Sequence, residues 1–186
     1  MAAATRARIW LGARRRSTRL EAPAGVSGRL AEFVAELPHE RGPIVVFVRR
    51  AAASIPAGSR VLDAGAGDAP YRELFRHVDY VTADWPNSVH EGAQQSDVVA
   101  SLDDLPLDDA TFDAVVCTQV LEHLEEPLTV LRELARVSKP GATLWITVPL
   151  VWPIHEAPFD FFRYTPYSLA SLLTRSGFAD VDVRAR

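Results

Sequence analysis

The sequence of 186 residues contains a single cysteine, Cys117, so a disulfide bond within the chain is excluded. A reducing, cytoplasmic setting is therefore expected. Long hydrophobic runs are absent too: the longest, residues 44–48 and 144–151, fall well short of the roughly 20 apolar residues that cross a bilayer. We therefore expect no membrane partner.

Lysine is also nearly absent, since Lys139 is the one lysine among 20 basic residues, and the formal net charge is −4. This balance gives no general reason to bind nucleic acid. Arginines cluster in residues 1–20, where they could form a phosphate-seeking arm or begin a transit peptide. Because arginine and alanine are abundant along the whole chain, we interpret residues 1–25 as a flexible basic N-terminal arm.

Helical spacing of apolar residues predicts two helices within residues 26–56, the second from Ile44 to Ile55, which we expect to cap the following domain. In residues 57–186 the pattern alternates between strand and helix. Strands are predicted at 60–64, 80–83, 97–100, 112–118, 142–148 and 179–184. Helices are predicted at 70–77, at 119–137 with an interruption at Pro127, and at 166–176. This alternation predicts an α/β fold with a doubly wound, mostly parallel sheet and helices on both faces.

The stretch from Arg60 to Tyr71 carries the strongest ligand-binding signal. An apolar strand runs into Asp63 and then into Gly65 and Gly67, which let backbone approach a ligand where a Cβ would obstruct it. Asp63 at the end of a buried strand is costly unless it meets a donor. Because ligands of such sheets lie beyond the carboxyl ends of the strands, we predict a binding site here.

The second strand ends at Asp84, 17 residues after Gly67, about where a ribose-binding acid falls in such folds. Its carboxylate can accept both ribose hydroxyls, and Trp85 can lie against a purine face. A dinucleotide would need a third glycine where Pro70 stands, and Asp68 would repel its phosphates. The turn therefore favours a nucleoside with a positive centre and no phosphate.

The run from Val61 to Gly67 resembles the glycine motif of class I S-adenosylmethionine-dependent methyltransferases. Four later segments are similar to motifs of the small-molecule enzymes of that class: Phe112-Asp113-Ala114-Val115-Val116, Leu121-Glu122-His123, Leu131-Arg132-Glu133 and Lys139-Pro140-Gly141. The resemblance covers about residues 58–184. It implies a Rossmann-like, three-layer α/β/α fold with S-adenosyl-L-methionine as the cofactor.

The resemblance also implies roles for single residues at the cofactor site. They are Gly65 and Gly67 under the methionine part, Asp84 on the ribose, Ser101 and Leu102 around the adenine, and Gln119 closing the far side. Many relatives carry an acid where Ser101 stands, so this contact falls to the Ser101 hydroxyl unless Asp103 substitutes. The family sheet usually ends with a seventh, antiparallel strand that we do not find, so a homodimer could complete the sheet edge.

The loop from Pro149 to Tyr164 is longer than most βα connections, which makes it the candidate acceptor site. His155 and Asp160 could act as base and orienting acid, Arg163 could hold an anionic group, and Trp152, Glu156 and Tyr164 belong to the same cluster. His123 either contacts substrate or caps its turn. Alternatively, Asp160 and Arg163 pair to pin the loop while Phe159, Phe161 and Phe162 pack under it. No metal site is expected, because neither histidine nor cysteine accompanies the acidic run 103–109.

We therefore predict an enzyme of class EC 2.1.1 that transfers a methyl group in line to a small-molecule acceptor. The protein has mainly to align nucleophile, methyl and sulfur, and a base is needed only for a protonated acceptor. A catalytically weak cofactor-binding or partner protein on the same scaffold is the alternative. An NAD-dependent oxidoreductase is a third hypothesis. RNA methylation is not favoured, because the sequence lacks the basic face interleaved with aromatic residues that RNA binding would need.

Overall fold

The computed structural model describes residues 5–13 and 42–185, and in them seven strands form one sheet in which every neighbouring pair is parallel. The strands are β1 (Arg6–Ala13), β2 (Arg60–Ala64), β3 (Asp79–Asp84), β4 (Val98–Val99), β5 (Phe112–Thr118), β6 (Ser138–Val151) and β7 (Ala179–Ala185). Their order is β4-β3-β2-β5-β6-β1-β7. The predicted α/β fold is confirmed, and no antiparallel pair occurs among the described strands.

Three α-helices accompany this sheet in the described residues: α1 (Gly42–Ser54), α2 (Pro127–Val137) and α3 (Pro166–Arg175). Short 3-10 helices lie at Arg72–Phe75, Glu91–Gln95 and Leu121–His123. The helix predicted at 70–77 is therefore only one 3-10 turn. The helical stretch predicted at 119–137 is interrupted at Pro127, as expected, because Pro127 has no N–H to donate and its fixed φ suits the first position of a new helix.

The helices cover both faces of the sheet, as predicted. On one face, Leu131 and Leu134 of α2 and Leu169 of α3 pack in the same core as Leu62 and Leu144. On the other face, α1 packs against the sheet through a second cluster of buried residues: Val45, Val48, Val61, Phe75 and Val116. Of the helices in the described ranges, none is long and apolar enough to cross a membrane.

Strand β1 lies inside the sheet, between β6 and β7, so the expectation of a flexible arm is wrong for residues 6–13. The physical reason is a period of two: Ala7 and Ile9 are buried, while Arg6 and Arg8 reach the carboxylate of Asp180 at 3.7 and 2.9 Å. The arginine-rich composition concealed this alternation. The first predicted helix, within 26–41, lies outside the described residues. The other domain boundaries and the homodimer stay predictions.

Candidate cofactor and acceptor site

The carboxyl end of β2 holds a buried acid beside the glycine turn. Asp63 is 1% exposed, and burial raises the pKa of its carboxyl to about 6. The Tyr80 hydroxyl donates a hydrogen bond to Oδ2, whereas Oδ1 accepts none from the described residues. A buried acceptor without a donor is costly, so Asp63 suits a ligand that brings a donor or a positive charge.

The turn after β2 requires glycine at two positions. Gly65 and Gly67 have φ of 76° and 54°, in the left-handed region that favours glycine. A Cβ on Gly65 would lie 2.4 Å from a methyl carbon of Val120, and one on Gly67 would lie 3.2 Å from the His90 ring. Val120 and His90 therefore lie against these glycines, and the predicted approach of a ligand to them stays a prediction.

Asp84 ties the glycine turn to the end of β3. Its Oδ2 accepts from the Gly67 N–H at 2.6 Å, and its Oδ1 accepts from the Trp85 N–H at 2.8 Å. Each carboxylate oxygen has a second lone pair, so both can also accept from ribose hydroxyls. The Trp85 ring meets the Phe159 ring edge to face, with centroids 5.2 Å apart. The predicted cofactor residues and the loop after β6 therefore lie together.

The remaining predicted cofactor residues are Ser101, Leu102 and Gln119, which follow other strands of the sheet. Leu102 is buried in the main core, and Ser101 is exposed beside it. Gln119 has a φ of 56°, and its side-chain amide donates to the Thr147 hydroxyl at 3.1 Å. Gln119 is thus held against β6 by its side chain.

An ion pair anchors the loop between β6 and α3. Arg163 donates to both oxygens of Asp160, at 2.6 and 2.8 Å, and also to the carbonyls of Trp152 and Pro153. Asp160 accepts from the His155 N–H at 2.9 Å, and the Arg163 guanidinium holds the pKa of Asp160 far below its usual value. This contact is the anchoring alternative raised from the sequence.

The same loop is fixed to the Leu121–His123 turn. The Tyr164 hydroxyl donates to the Leu121 carbonyl at 2.9 Å, and burial raises the pKa of Tyr164. The N–H groups of Phe161 and Phe162 donate to the Glu122 carbonyl at 2.8 and 3.2 Å. The rings of Phe159, Phe161 and Phe162 stay 37–40% exposed, so they border the site instead of packing fully beneath the loop.

A cluster of carboxyl and imidazole groups lies where the loop meets this turn. The Glu122 side chain is fully buried, neither carboxyl oxygen has a partner in the described residues, and burial raises its pKa to about 8. The rings of His123 and His155 are 4.7 Å apart, and His123 Nε2 lies 3.9 Å from Glu122 Oε1.

Two further residues link this cluster to the glycine turn. Glu156 lies 3.8 Å from His123 Nε2 through one oxygen and 3.9 Å from His90 Nε2 through the other. His90 in turn lies over Gly67. Glu156 is among the loop residues predicted as candidates from the sequence, whereas Glu122 and His90 were not predicted as site residues. For Glu122 a signal existed, because it stands within the Leu121-Glu122-His123 motif.

The sequence is similar to those of known methyltransferases. Residues 62–146 match the family model described as a methyltransferase domain. A ubiquinone biosynthesis O-methyltransferase of Xanthomonas axonopodis pv. citri is 33% identical, over 50% of this chain and 44% of its own length. A probable S-adenosylmethionine-dependent methyltransferase of Mycobacterium tuberculosis is 34% identical, over 65% of this chain and 49% of its own. The chain spans about half the length of these curated relatives.

The solved structures show the same fold. The SAM-dependent methyltransferase from Archaeoglobus fulgidus superposes with a TM-score of 0.60 at 22% identity, over 75% of this chain and 70% of that one. Together with the family match, this confirms the resemblance indicated by the sequence motifs.

Proposed function

We propose that this chain, which carries the methyltransferase domain and the Rossmann-like fold of a class I S-adenosylmethionine-dependent methyltransferase, transfers a methyl group to a small-molecule acceptor. The observation that carries the proposal is one juxtaposition. The acidic glycine turn and the Glu122–His123–His155 cluster lie at the same edge of the sheet, linked by His90 and Glu156. A donor site and an acceptor site must adjoin in this way for in-line transfer.

The donor site consists of the residues after β2 and β3. Asp84 would accept the ribose hydroxyls, Trp85 would lie beside the adenine with Ser101 and Leu102, and the glycines would lie under the methionine part. Asp63 would supply negative charge below them, and Gln119 would close the far side. The residues present fit the cofactor, because a buried acceptor and a half-used carboxylate suit a cationic nucleoside. When bound, S-adenosylmethionine supplies an electrophilic methyl group on a sulfonium.

The acceptor site consists of the loop after β6 and the Leu121–His123 turn. The His123 Nδ1 lies 2.5 Å from the Phe159 carbonyl, so Nδ1 donates and Nε2 is left to take a proton from an acceptor hydroxyl. His155 lies beside it as a second imidazole. Asp160, Arg163 and Tyr164 act as positioning residues, since their contacts hold the loop.

An acceptor with a hydroxyl on an apolar frame fits this site best. Exposed rings of Phe159, Phe161 and Phe162 border it and offer apolar surface to a small molecule. The ubiquinone biosynthesis O-methyltransferases among the relatives support oxygen as the methylated atom.

A second candidate is cofactor binding without turnover. Val120 and His90 occupy the space that a Cβ on Gly65 or Gly67 would need, so the part of a ligand that lies over these glycines has little room. Binding of S-adenosylmethionine without label transfer to any phenol, alcohol or amine tested would select this candidate.

The test is calorimetry with S-adenosylmethionine and S-adenosylhomocysteine on wild type and Asp84→Asn. We expect the variant to bind at least about tenfold more weakly, since a buried hydrogen-bonded carboxylate contributes more than about 1.4 kcal/mol. Asp79→Asn is the matched control, because Asp79 begins the same strand with an exposed carboxylate. Equal binding by all three proteins would overturn the donor-site assignment, and thermal melting must show that each variant is folded.

A further inference from the structure

We propose that Glu122, His123 and His155 form a binding site for one divalent transition-metal ion of the zinc class. The three residues come from two segments, the 3-10 turn after β5 and the loop after β6, which the fold brings together. The site adjoins the glycine turn but shares none of the donor-site residues.

The spacing of the three side chains suits a metal ion. Each residue offers one ligand atom, and these atoms all lie within 4.8 Å of one another. Zinc bonds of about 2.0–2.2 Å place tetrahedral ligands about 3.3–3.5 Å apart, so each ligand atom has to move by less than about 1 Å. Two of the three belong to adjacent residues, and His155 lies on a loop, so such a movement is within the range of side-chain rotation.

The buried carboxyl of Glu122 is an independent indication of a cation. Its side chain has no exposed surface, and neither oxygen accepts a hydrogen bond from the described residues. A buried carboxylate without a donor is strongly unfavourable unless a charge compensates it. Arg163 acts on Glu122 only at a distance, and its guanidinium is already held by Asp160. A metal ion would supply the missing partner directly.

Hydrogen bonds orient both imidazoles for ligation through the same nitrogen. His123 Nδ1 lies 2.5 Å from the Phe159 carbonyl, and His155 Nδ1 lies 3.2 Å from the Pro153 carbonyl. A carbonyl can only accept, so each Nδ1 carries the proton and each Nε2 presents a lone pair. Asp160 lies a further 3.4 Å from His155 Nδ1. Metal-binding histidines are commonly held by such outer contacts to carbonyls and carboxylates.

The ligand set indicates which metals fit. Two imidazole nitrogens and one carboxylate suit Zn²⁺ and its neighbours, whereas Mg²⁺ and Ca²⁺ prefer oxygen ligands alone. Glu156, 3.8 Å from His123 Nε2, adds negative charge at the rim. Three protein ligands leave a fourth position open. One consequence rests on the proposed function: an acceptor hydroxyl at that position would lose its proton more readily. His123 Nε2 would then hold the metal, so the proton would pass to solvent and not to His123.

The test is direct metal binding to the untagged, chelator-treated chain without S-adenosylmethionine. Calorimetry with ZnCl₂ is expected to give one site, and CoCl₂ should give the strong visible absorption of a four-coordinate ion. Glu122→Gln and His155→Ala should each weaken Zn²⁺ binding at least tenfold. His77→Ala, which removes an imidazole that lies against the Ala52 and Ile55 carbonyls and belongs to neither site, should bind Zn²⁺ within about threefold of wild type.

The outcomes separate this inference from the proposed function. Equal Zn²⁺ binding by wild type, Glu122→Gln and His155→Ala, or no binding by wild type, would overturn the metal site whatever the methylation assays give. Competition by MgCl₂ at a similar concentration would contradict the metal class. Zinc binding by a chain that transfers no methyl group would leave the site standing and remove the proposed activity.

Discussion

Three carboxyl groups near the site have pKa values that their surroundings shift in opposite directions. Burial raises the pKa of Glu122 to about 8 and that of Asp63 to about 6, whereas the Arg163 guanidinium lowers that of Asp160. Glu122 and Asp63 bind more protons in the folded than in the unfolded chain. The folded state therefore loses stability as the pH rises from the ordinary pKa of each carboxyl to its raised value. Asp160 has the opposite effect, and its contribution is lost as the pH falls below the usual range of an aspartate.

Glu122→Gln is expected to remove one of these pH dependences. Between pH 6 and 8 the buried carboxyl stays largely protonated in the folded chain but is ionised in the unfolded chain, so the free energy of unfolding should fall by up to about 1.4 kcal/mol per pH unit. Glutamine has no proton to lose, so the variant should fall less steeply. Urea unfolding at pH 6, 7 and 8 in the presence of a chelator measures the difference.

Glu125→Gln is the control for this experiment, because Glu125 lies three residues away with an exposed side chain. It should reproduce the wild-type dependence. Parallel curves for wild type and Glu122→Gln would contradict the buried, unpartnered state of Glu122.

Gly65→Ala is expected to destabilise the fold through two separable effects. Alanine at a φ of 76° costs about 1 kcal/mol, and its Cβ would also lie 2.4 Å from a Val120 methyl carbon. Overpacking of this kind adds about 1–3 kcal/mol. Gly58→Ala is the matched control, since Gly58 has a φ of 78° with no atom within 4 Å of its ideal Cβ. Denaturant midpoints that fall equally in the two variants would show that Val120 gives way freely.

At the scale of elements, one ion pair and a small number of hydrogen bonds hold the loop between β6 and α3 in place. The Asp160–Arg163 pair lies within the loop, and the Phe161 and Phe162 N–H groups, which donate to the Glu122 carbonyl, join the loop to the turn after β5. The ion pair also helps to position His155, whose N–H donates to Asp160.

Arg163→Met should loosen this loop while keeping the length of the side chain. It leaves the Asp160 carboxylate, whose side chain is 2% exposed, without its cation, which costs about 1–3 kcal/mol. Hydrogen exchange of the His155, Phe161 and Phe162 amides should then accelerate, as measured by mass spectrometry of peptides from residues 150–164. Arg184→Met, which breaks the exposed pair with Asp182, should leave that exchange unchanged. Unaltered exchange in Arg163→Met would show that the loop has another anchor.

The elements with strong local patterns were predictable from the sequence. The boundaries of β5 and α3 are marked in the sequence by the apolar run Val115-Val116-Cys117 and by the proline that begins α3. In a parallel sheet the carboxyl ends of the strands lie at the same edge. This is why Asp63, Gly65, Gly67 and Asp84 lie together as expected. Glu122 and His155 lie close together because of the path of the long loop after β6. Neither hydrophobic periodicity nor the spacing of residues in the sequence predicts that path.

At the scale of the whole molecule, β1 joins β7 to the rest of the sheet. It pairs with β6 on one side and β7 on the other, and β6 and β7 are not neighbours. Strand β7 and its contacts with α3 therefore depend on a segment far away in the sequence. Sequence patterns do not predict such long-range pairing. The arginines of the segment, Arg6 and Arg8, lie on its exposed or partly exposed face.

Ile9→Ala tests this architecture. Ile9 is 2% exposed and lies opposite Ile146 of β6 in the parallel register, so both side chains belong to one core. Truncating a buried isoleucine costs about 2–5 kcal/mol, and the two variants Ile9→Ala and Ile146→Ala should therefore lose comparable stability in urea unfolding. Val46→Ala on α1, where the side chain is 37% exposed, should lose less than about 1 kcal/mol. If Ile9→Ala behaved like Val46→Ala, residues 6–13 would lie outside the sheet in solution, and the arm predicted from composition would describe them after all.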